Sequence, residues 1–297
     1  MDRCILCGST ETVLVKVENG YRAEQCCACN LIYTHPKPSL PELQEMYEKD
    51  QASSLEVDAQ IRLCQKKLLV ARQDISEIRR FVKGGKLLEV GCGAGYFLWI
   101  AKGKGFACTG IEINRVLVEY AIKSLGLYVT PGTLMTIDIP PQTYNVVYFR
   151  NVLSHMYDPV AEFERMNSVL IDKGFLFFET GNLPEVNLRS SQKLDLGLPD
   201  HLYFFSRRNV KTILERTGFE LLSSKAYSLI AHEWVRRAFE KKVRQIVSGG
   251  DGFSPQGRPN WKEALIAYLS YILTYKLGRV LPKGGHFCTI KYVARKK

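Results

Sequence analysis

The chain has 297 residues, enough for one large domain or two to three small units, and its hydrophobic fraction of 46% is ordinary for a globular protein. No apolar stretch of about 18 residues is free of charge, which argues against a membrane-spanning helix. The first ten residues lack the apolar core of a secretion signal, so we expect a cytoplasmic protein.

The net charge of +11 is unevenly distributed along the chain. Residues 207–297 hold 19 of the 41 basic and 6 of the 30 acidic residues, a local charge of +13 that leaves −2 for the rest. This excess favours an anionic partner, either a phosphate-rich substrate, RNA or the inner face of an anionic membrane, although a solvated basic surface is an equal alternative. Two helical stretches at 231–247 and 261–280 would supply a peripheral membrane contact, but a helical pair packed on the core is favoured.

Residues 1–40 have the pattern of a small zinc ribbon. Two C-x-x-C pairs lie 18 residues apart, and the segment between them predicts a hairpin that turns at Asn19-Gly20. Paired thiolates in a reducing compartment indicate a tetrahedral zinc site rather than disulfides. Unmetallated thiols and a redox pair are the weaker alternatives, and Cys27 is predicted to be a spare. The predicted zinc ligands are Cys4, Cys7, Cys26 and Cys29.

Residues 41–84 predict a helical linker, with Ser39 and Glu42 as a capping box at its start. From 85 to 185 apolar strands alternate with helices, which predicts an α/β, Rossmann-like doubly wound sheet that is mostly parallel. The strands are predicted at 86–90, 107–113, 127–130, 144–149 and 175–180, and the helices at 97–102, 116–125 and 159–171. Residues 186–297 are expected to form a substrate-side α/β extension that completes the sheet, with a helix at 206–217 and strands at 219–227 and 286–294.

A glycine-rich loop follows the first strand of this sheet and opens a helix. Its spacing is G-x-G-x-G, starting at Gly91, and an acidic residue, Glu112, ends the next strand. Glycines allow a tight turn and a close backbone approach to a ligand, and the carboxylate is placed to bind ribose hydroxyls. An NAD-binding or ligand-free sheet is the alternative.

This pattern resembles motif I of class I S-adenosylmethionine-dependent methyltransferases. The resemblance implies that the loop supports the methionine moiety, that Glu112 binds the ribose, and that the segment at Thr133 borders the adenine. The segment 149–159 is similar to that of small-molecule methyltransferases related to ubiquinone-pathway enzymes. It implies that Arg150 and Asn151 reach the cofactor, whereas His155 is more simply a residue that orients this loop. The cofactor-binding residues implied are Glu89, Gly91, Cys92, Gly93, Gly95, Glu112, Ile113, Thr133, Leu134, Arg150 and Asn151.

The ribbon and the segment that follows it, as far as Pro38, are similar to the N-terminal zinc module of sugar and cell-surface methyltransferases, some of which act on carbon in nucleotide-linked deoxysugars. The resemblance implies a structural zinc, and a lid over the substrate formed with the helix that carries Tyr47. Asp200-His201 also matches an acid-histidine pair of that subfamily, implying that His201 removes the acceptor proton with help from Asp200. Leu198 departs from the tyrosine common there, which puts methylation of a ketosugar carbon in doubt.

Together these features favour a methyltransferase for a small sugar-like acceptor, either a sugar, a nucleotide-linked sugar or a surface-polysaccharide precursor. Two alternatives stay open. The first is an rRNA or tRNA methyltransferase that binds RNA through its ribbon, with nucleic acid the less favoured partner because the ribbon is nearly neutral. The second is a non-catalytic protein of the same fold. His201 could also simply fix its loop against the neighbouring phenylalanines.

Overall fold

The computed structural model describes residues 3–51, 68–183, 195–228 and 288–297. Within these ranges the chain forms eleven strands, six α-helices and one 3₁₀ turn. The strands are β1 Thr12–Glu18, β2 Tyr21–Cys26, β3 Ile32–His35, β4 Gly85–Val90, β5 Phe106–Glu112, β6 Val129–Pro131, β7 Tyr144–Arg150, β8 Leu170–Gly181, β9 Tyr203–Phe204, β10 Phe219–Ser228 and β11 Cys288–Lys296. The helices are α1 Leu40–Gln51, α2 Leu68–Ile78, α3 Tyr96–Lys102, α4 Arg115–Leu125, α5 Pro159–Val169 and α6 Arg207–Arg216, and the 3₁₀ turn is Leu153–His155.

The larger sheet has seven strands in the order β10-β11-β8-β7-β4-β5-β6. The five strands from β6 to β8 run parallel to one another, and β11 lies antiparallel between β8 and β10. The central strands are buried apolar runs, as expected of a parallel sheet covered on both faces. The predicted doubly wound α/β fold is therefore confirmed, and the carboxyl ends of β4, β5 and β7 meet at one edge.

Local sequence signals fix where the helices begin. The Asn114 side chain accepts hydrogen bonds from Val116 and Leu117 at the start of α4, and Asp158 caps α5 in the same way. Ser39 and Glu42 form the predicted capping box before α1. Within the helical linker predicted at 41–84, the last helix ends at Ile78, and residues 52–67 lie outside the described ranges.

One strand of the larger sheet is longer than predicted. β8 starts at Leu170, directly after α5, where a helix was expected to continue to residue 171. Lys173 adopts a left-handed φ of 59° next to Gly174, and the β7–β8 register shifts between Tyr144 and Val146. The apolar spacing of residues 169–171 suits either a helix or a strand, so the sequence does not resolve this boundary.

The smaller sheet, called here the ribbon sheet, has the order β1-β2-β3-β9. Its first two strands form the predicted hairpin, in which Asn19 and Gly20 take positive φ values of 52° and 81°. Its fourth strand, β9, comes from far along the chain and pairs with β3. This strand is absent from the sequence prediction because two residues are too few to show any periodicity.

The ribbon sheet shares one hydrophobic core with the larger sheet. Leu6 and Leu31 are buried in the same cluster as Phe149 and Phe163. Hydrogen bonds fix the contact: Arg216 donates to the Leu6 carbonyl at 2.8 Å, and Asn209 donates to the Cys29 carbonyl at 2.8 Å. The ribbon is therefore packed onto the larger sheet rather than tethered to it.

The helices predicted at 231–247 and 261–280, and with them the proposed membrane contact, lie outside the described residues, as does the side chain of Tyr47. Among the residues that are described, no helix is long and apolar enough to cross a membrane.

Candidate cofactor and acceptor site

The glycine loop, residues 91–95, connects β4 to α3 at the carboxyl edge of the larger sheet. Gly91, Gly93 and Gly95 have φ values of 67°, 54° and 80°, a region that side chains other than glycine rarely adopt. A Cβ on Gly91 would lie 2.5 Å from Val152 Cγ2, and one on Gly95 would lie 2.6 Å from Leu127 Cδ1. Glycine is thus required both by the turn and by close packing, which at Gly91 is against the segment after β7 and at Gly95 against the segment before β6.

Glu112 lies at the end of β5 and is hydrogen-bonded to the glycine loop. Its Oε2 accepts from the Gly93 N–H at 2.7 Å, and its Oε1 accepts from the Asn114 N–H at 2.9 Å. Burial raises the pKa of this carboxyl, and the backbone N–H groups oppose that shift. An ionised carboxylate offers about four lone pairs, so Glu112 retains acceptor capacity for a pair of ribose hydroxyls.

Glu89 is a buried carboxyl on β4, one residue before the strand ends. Its Oε2 has no hydrogen-bond partner among the described residues. Burial raises the pKa of Glu89 well above its usual range, and the Glu112 and Asp74 carboxylates add to the shift. A buried oxygen without a partner is costly, and a ligand that carries an ammonium group would remove that cost. This fits S-adenosylmethionine, whose methionine moiety has such a group.

The residues predicted to lie near the adenine differ in how far their side chains are exposed. Ile113, next to Glu112, keeps 41% of its surface exposed and offers an apolar face. Thr133 is half-buried and donates from its backbone N–H to Thr136 Oγ1 at 2.9 Å, whereas the Leu134 side chain is fully buried in the core. The contact of Thr133 and Leu134 with adenine stays a prediction.

Arg150 belongs to a buried charge network that the sequence analysis missed. Its guanidinium donates to Asp74 Oδ2 at 2.8 Å and to Glu179 Oε1 at 2.6 Å. Tyr148 and Lys291 also donate to Asp74. The network links α2, β7, β8 and β11, and its one sequence signal is a lone acidic residue on the apolar face of α2. Cofactor binding by Arg150 stays a prediction.

Asn151, the next residue, is exposed and takes a left-handed φ of 55°. Its backbone N–H donates to the Glu179 carbonyl at 2.9 Å. This bond fixes the start of the loop that leads from β7 to His155. A contact between Asn151 and the cofactor likewise stays a prediction.

Three side chains, His155, Asp200 and His201, form what we call the histidine cluster. His155 Nδ1 lies 3.0 Å from Asp200 Oδ1 and 3.1 Å from the Asp200 carbonyl oxygen. His201 Nδ1 lies 2.6 Å from the Leu196 carbonyl oxygen, and the two imidazole centroids are 4.6 Å apart. A Cβ on Gly197 would lie 2.9 Å from His201 Nδ1, so glycine there allows the ring to approach.

The hydrogen bonds in the cluster differ from the expected pairing of Asp200 with His201. The Asp200 carboxylate contacts His155, and the Leu196 carbonyl orients His201. Assistance by Asp200 in proton removal by His201 stays a prediction. Consecutive side chains leave the backbone in different directions, and Asp200 is directed towards the turn after β7. His155, expected to orient its loop, contacts Asp200 from that turn.

The segment 196–204 is held in place by the ribbon sheet on one side. Glu18 accepts from the backbone N–H groups of Leu196 and Leu198, and Thr34 donates from Oγ1 to the His201 carbonyl at 2.6 Å. On the other side, the Leu202 N–H donates to the Ser154 carbonyl at 2.7 Å. Since Val152 also packs on Gly91, the histidine cluster and the glycine loop lie at the same edge of the larger sheet.

The four predicted zinc ligands converge as the cysteine cluster, made of Cys4, Cys7, Cys26 and Cys29. The Cys4–Cys29 and Cys7–Cys26 sulfurs are each 3.5 Å apart, and all four lie within 4.8 Å of one another. Four thiolates about 2.3 Å from one zinc ion would be roughly 3.8 Å apart, so the donor set fits tetrahedral zinc. Cys27 is exposed and is not part of the cluster, as predicted.

Comparison with known proteins gives a consistent assignment. Residues 61–224 match the model of the family described as methyltransferase domain. The tRNA U34 carboxymethyltransferase of Vibrio vulnificus (strain YJ016) is 28% identical over 151 residues, 47% of this chain and 46% of the relative. That of Hydrogenovibrio crunogenus is 31% identical over 114 residues, 35% of this chain and 34% of the relative. The chain thus spans about half the length, or less, of these curated relatives.

Among solved structures, phosphoethanolamine N-methyltransferase 2 of Haemonchus contortus in complex with S-adenosyl-L-methionine matches with a TM-score of 0.58. The identity is 14%, and the match covers 89% of this chain and 61% of that chain, so it shows the shared fold. The family model matches more than half of the chain and includes the glycine loop and Glu112. The chain therefore belongs to the methyltransferase-domain family and has the fold of a methyltransferase that binds S-adenosylmethionine.

Proposed function

We propose that the protein methylates a small, sugar-like acceptor that binds beside the histidine cluster, with His201 as the general base. The observation that carries this proposal is the packing of Val152 on Gly91, which sets the turn bearing His155 against the cofactor loop. An acceptor at this edge would lie between the bound cofactor and the two imidazoles. S-adenosylmethionine, when bound, supplies a methyl group on a positively charged sulfur, open to in-line displacement.

His201 is oriented to accept a proton. Its Nδ1–H donates to the Leu196 carbonyl, so the lone pair is at Nε2. Burial lowers the pKa of His201, and the neighbouring His155 lowers it further, so the ring is neutral near pH 7. An acceptor hydroxyl or an acidic C–H would lose its proton to Nε2 as it attacks the methyl group.

Three further side chains and the cysteine cluster have supporting roles in this proposal. Asp200 orients His155, which packs against the ring of His201. Glu112 and Glu89 bind the ribose and the ammonium group of the cofactor. The cysteine cluster binds a structural zinc and thereby fixes the ribbon sheet that positions the segment 196–204. Thiolates that hold zinc suit a reducing compartment, and we propose the cytoplasm.

The second candidate is a tRNA acceptor. It is favoured by the curated relatives, which are named tRNA U34 carboxymethyltransferase, and by the charge of +13 in residues 207–297. The two candidates differ in salt dependence. Phosphate contacts to tRNA weaken steeply with salt, whereas a small acceptor enclosed by the ribbon would depend on salt far less.

The test is transfer of a radiolabelled methyl group to a panel of nucleotide-linked sugars and, in parallel, to total tRNA. We expect label in a sugar, and a His201→Gln variant that loses activity about 100-fold or more while it binds S-adenosylhomocysteine normally. His35→Gln serves as the matched histidine control. Label in tRNA and in none of the sugars would replace the first candidate by the second.

A further inference from the structure

The side chains of the histidine cluster are of the types that bind transition-metal ions, and this is separate from the role of His201 as a general base. Two imidazoles and one carboxylate, each contributing one donor atom, lie within 4.8 Å of one another. Such a set leaves room for a further ligand, as in zinc sites made of two histidines and one carboxylate. The cluster is distinct from the cysteine cluster, which uses sulfur donors alone.

The contact between His155 and Asp200 has the right length for two ligands of one ion. Bonds of about 2.1 Å place neighbouring nitrogen and oxygen ligands roughly 3.0–3.4 Å apart. His155 Nδ1 and Asp200 Oδ1 are 3.0 Å apart. In the metal-free protein Nδ1 carries the proton, because it faces two oxygens of Asp200. On metal binding that proton would move to Nε2, so the imidazole stays neutral.

His201 contributes the third donor, with its orientation already set. Its Nδ1–H is bound by the Leu196 carbonyl at 2.6 Å, which leaves Nε2 as the coordinating atom. Metal-binding histidines commonly donate their other ring nitrogen to a backbone carbonyl or carboxylate in this way. The ring lies on a segment that Thr34 and Glu18 already hold, so little order would have to be created by the ion.

We propose that His155, Asp200 and His201 bind a borderline transition-metal dication such as Zn²⁺ or Co²⁺, and that this ion inhibits methyl transfer. The inhibitory part rests on the proposed function, since a His201 Nε2 lone pair that coordinates a metal cannot accept the acceptor proton. The two imidazole donors favour such ions over Mg²⁺ or Ca²⁺, which prefer oxygen ligands alone. The methyltransferase reaction would therefore be sensitive to metal at its base, independently of the zinc in the ribbon.

The experiment titrates Co²⁺ into full-length protein whose ribbon has first been loaded with one equivalent of Zn²⁺. Visible ligand-field absorption reports the bound Co²⁺, with neither cofactor nor acceptor present. We expect one further Co²⁺ per chain, bound at least about tenfold more weakly by His155→Gln and by Asp200→Asn, since even the loss of an outer-shell partner costs about that much. His35→Gln, a histidine outside the cluster, should match the wild type.

Activity is measured separately, with the acceptor that the radiolabel screen identifies. Inhibition should follow Co²⁺ occupancy and should require at least about tenfold more Co²⁺ in His155→Gln. Absorption that is missing, or equal in wild type and variants, would overturn the metal site. Binding accompanied by faster methyl transfer would overturn the inhibition. If no acceptor is found, the absorption titration still decides whether the metal site exists, so the two proposals fail separately.

Discussion

At the scale of single residues, three buried or partly buried carboxylates lie in different environments. Glu112 is ionisable at the cofactor loop, Glu18 lies between the ribbon sheet and the segment of the histidine cluster, and Glu162 is buried at the start of α5. Removal of the charge from each carboxylate is therefore expected to change a different quantity: cofactor affinity, kcat/KM or the free energy of unfolding.

Glu18 is expected to position the segment 196–204. Burial acts to raise the pKa of Glu18, but Lys16 and the N–H groups of Leu196 and Leu198 outweigh it and lower the pKa to about 2. Glu18→Gln loses the ion pair and one acceptor oxygen, and a bond to a charged acceptor is worth about 1.5–3 kcal/mol. We expect kcat/KM for the acceptor to fall about tenfold or more, with unchanged affinity for S-adenosylhomocysteine.

The matched control for this position is Glu24→Gln on the same sheet. Glu24 contacts Thr12 and Arg22 instead of the segment 196–204. Equal losses in both variants would mean that ribbon stability, and not the position of the segment, accounts for the effect.

Glu162 is expected to destabilise the protein at neutral and alkaline pH. Burial raises the pKa of Glu162 from 4.5 to about 7, the backbone of Tyr157 opposes the shift, and the Asp158 carboxylate adds to it. The unfolded chain ionises first, so stability falls as pH rises from about 4.5 to 7 and then stays constant. Glu162→Gln should therefore increase the free energy of unfolding at pH 8 by about 2–3 kcal/mol.

Urea denaturation at about pH 4.5 and pH 8 measures this difference, which should nearly vanish at the lower pH. Glu164→Gln on the exposed face of the same helix is the control and should be neutral at both. A Glu162→Gln variant no more stable than the wild type at pH 8 would show that the buried carboxylate is solvated after all.

The sequence indicates which residues belong to the proposed site, but it does not indicate which of them contact one another. The glycine spacing and the acidic end of the next strand indicate the glycine loop and Glu112, whereas Asp200-His201 is implied by the resemblance to known methyltransferases. The partner of Asp200 is 45 residues earlier in the chain, and Asp74 meets Lys291 across 217 residues. Pairing at such distances depends on the tertiary fold, about which local patterns carry no information.

At the scale of elements, β9 is the strand that couples the ribbon to the site. β9 begins two residues after His201 in the chain, and it pairs with β3. The parallel strands and their helices were predicted within a few residues, because burial on both faces yields long apolar runs and the caps are local. β9 is not predicted because two residues show no periodicity and the strand that pairs with them lies about 170 residues away.

Loss of the proposed zinc should therefore damage both the ribbon and catalysis. Cys26→Ser removes one of the four proposed metal ligands, and metal binding at such a site contributes to folding free energy. We expect less than one zinc per chain, a lower melting temperature and at least about tenfold lower activity, since the ribbon holds the segment of His201. Zinc analysis and thermal denaturation measure the first two effects.

The neighbouring Cys27→Ser is the control, because its side chain is exposed and outside the cluster. It should keep zinc, stability and activity. Loss of zinc in Cys27→Ser, with zinc retained in Cys26→Ser, would mean that Cys27 and not Cys26 is the metal ligand.

At the scale of the whole molecule, the ribbon and the seven-stranded sheet form one folding unit around a shared core. Cys4, Leu6 and Leu31 are buried in the same cluster as residues from β7 and α5. The acceptor is thus expected to bind between parts that cannot separate without exposing that core. Of the basic excess of +13 in residues 207–297, +6 falls in residues 229–287, outside the described ranges, so its partner is best identified by the salt dependence of acceptor binding.

The central claim is that the glycine loop and Glu112 bind the methyl donor, and calorimetric titration with S-adenosylhomocysteine tests it most directly. We predict binding by the wild type, weakening of about 100-fold or more in Glu112→Ala, and no change in Glu119→Ala, whose exposed side chain on α4 pairs with Lys123. Circular dichroism confirms that each variant is folded. Equal affinity in wild type and Glu112→Ala, or no binding by the folded wild type, would contradict the account.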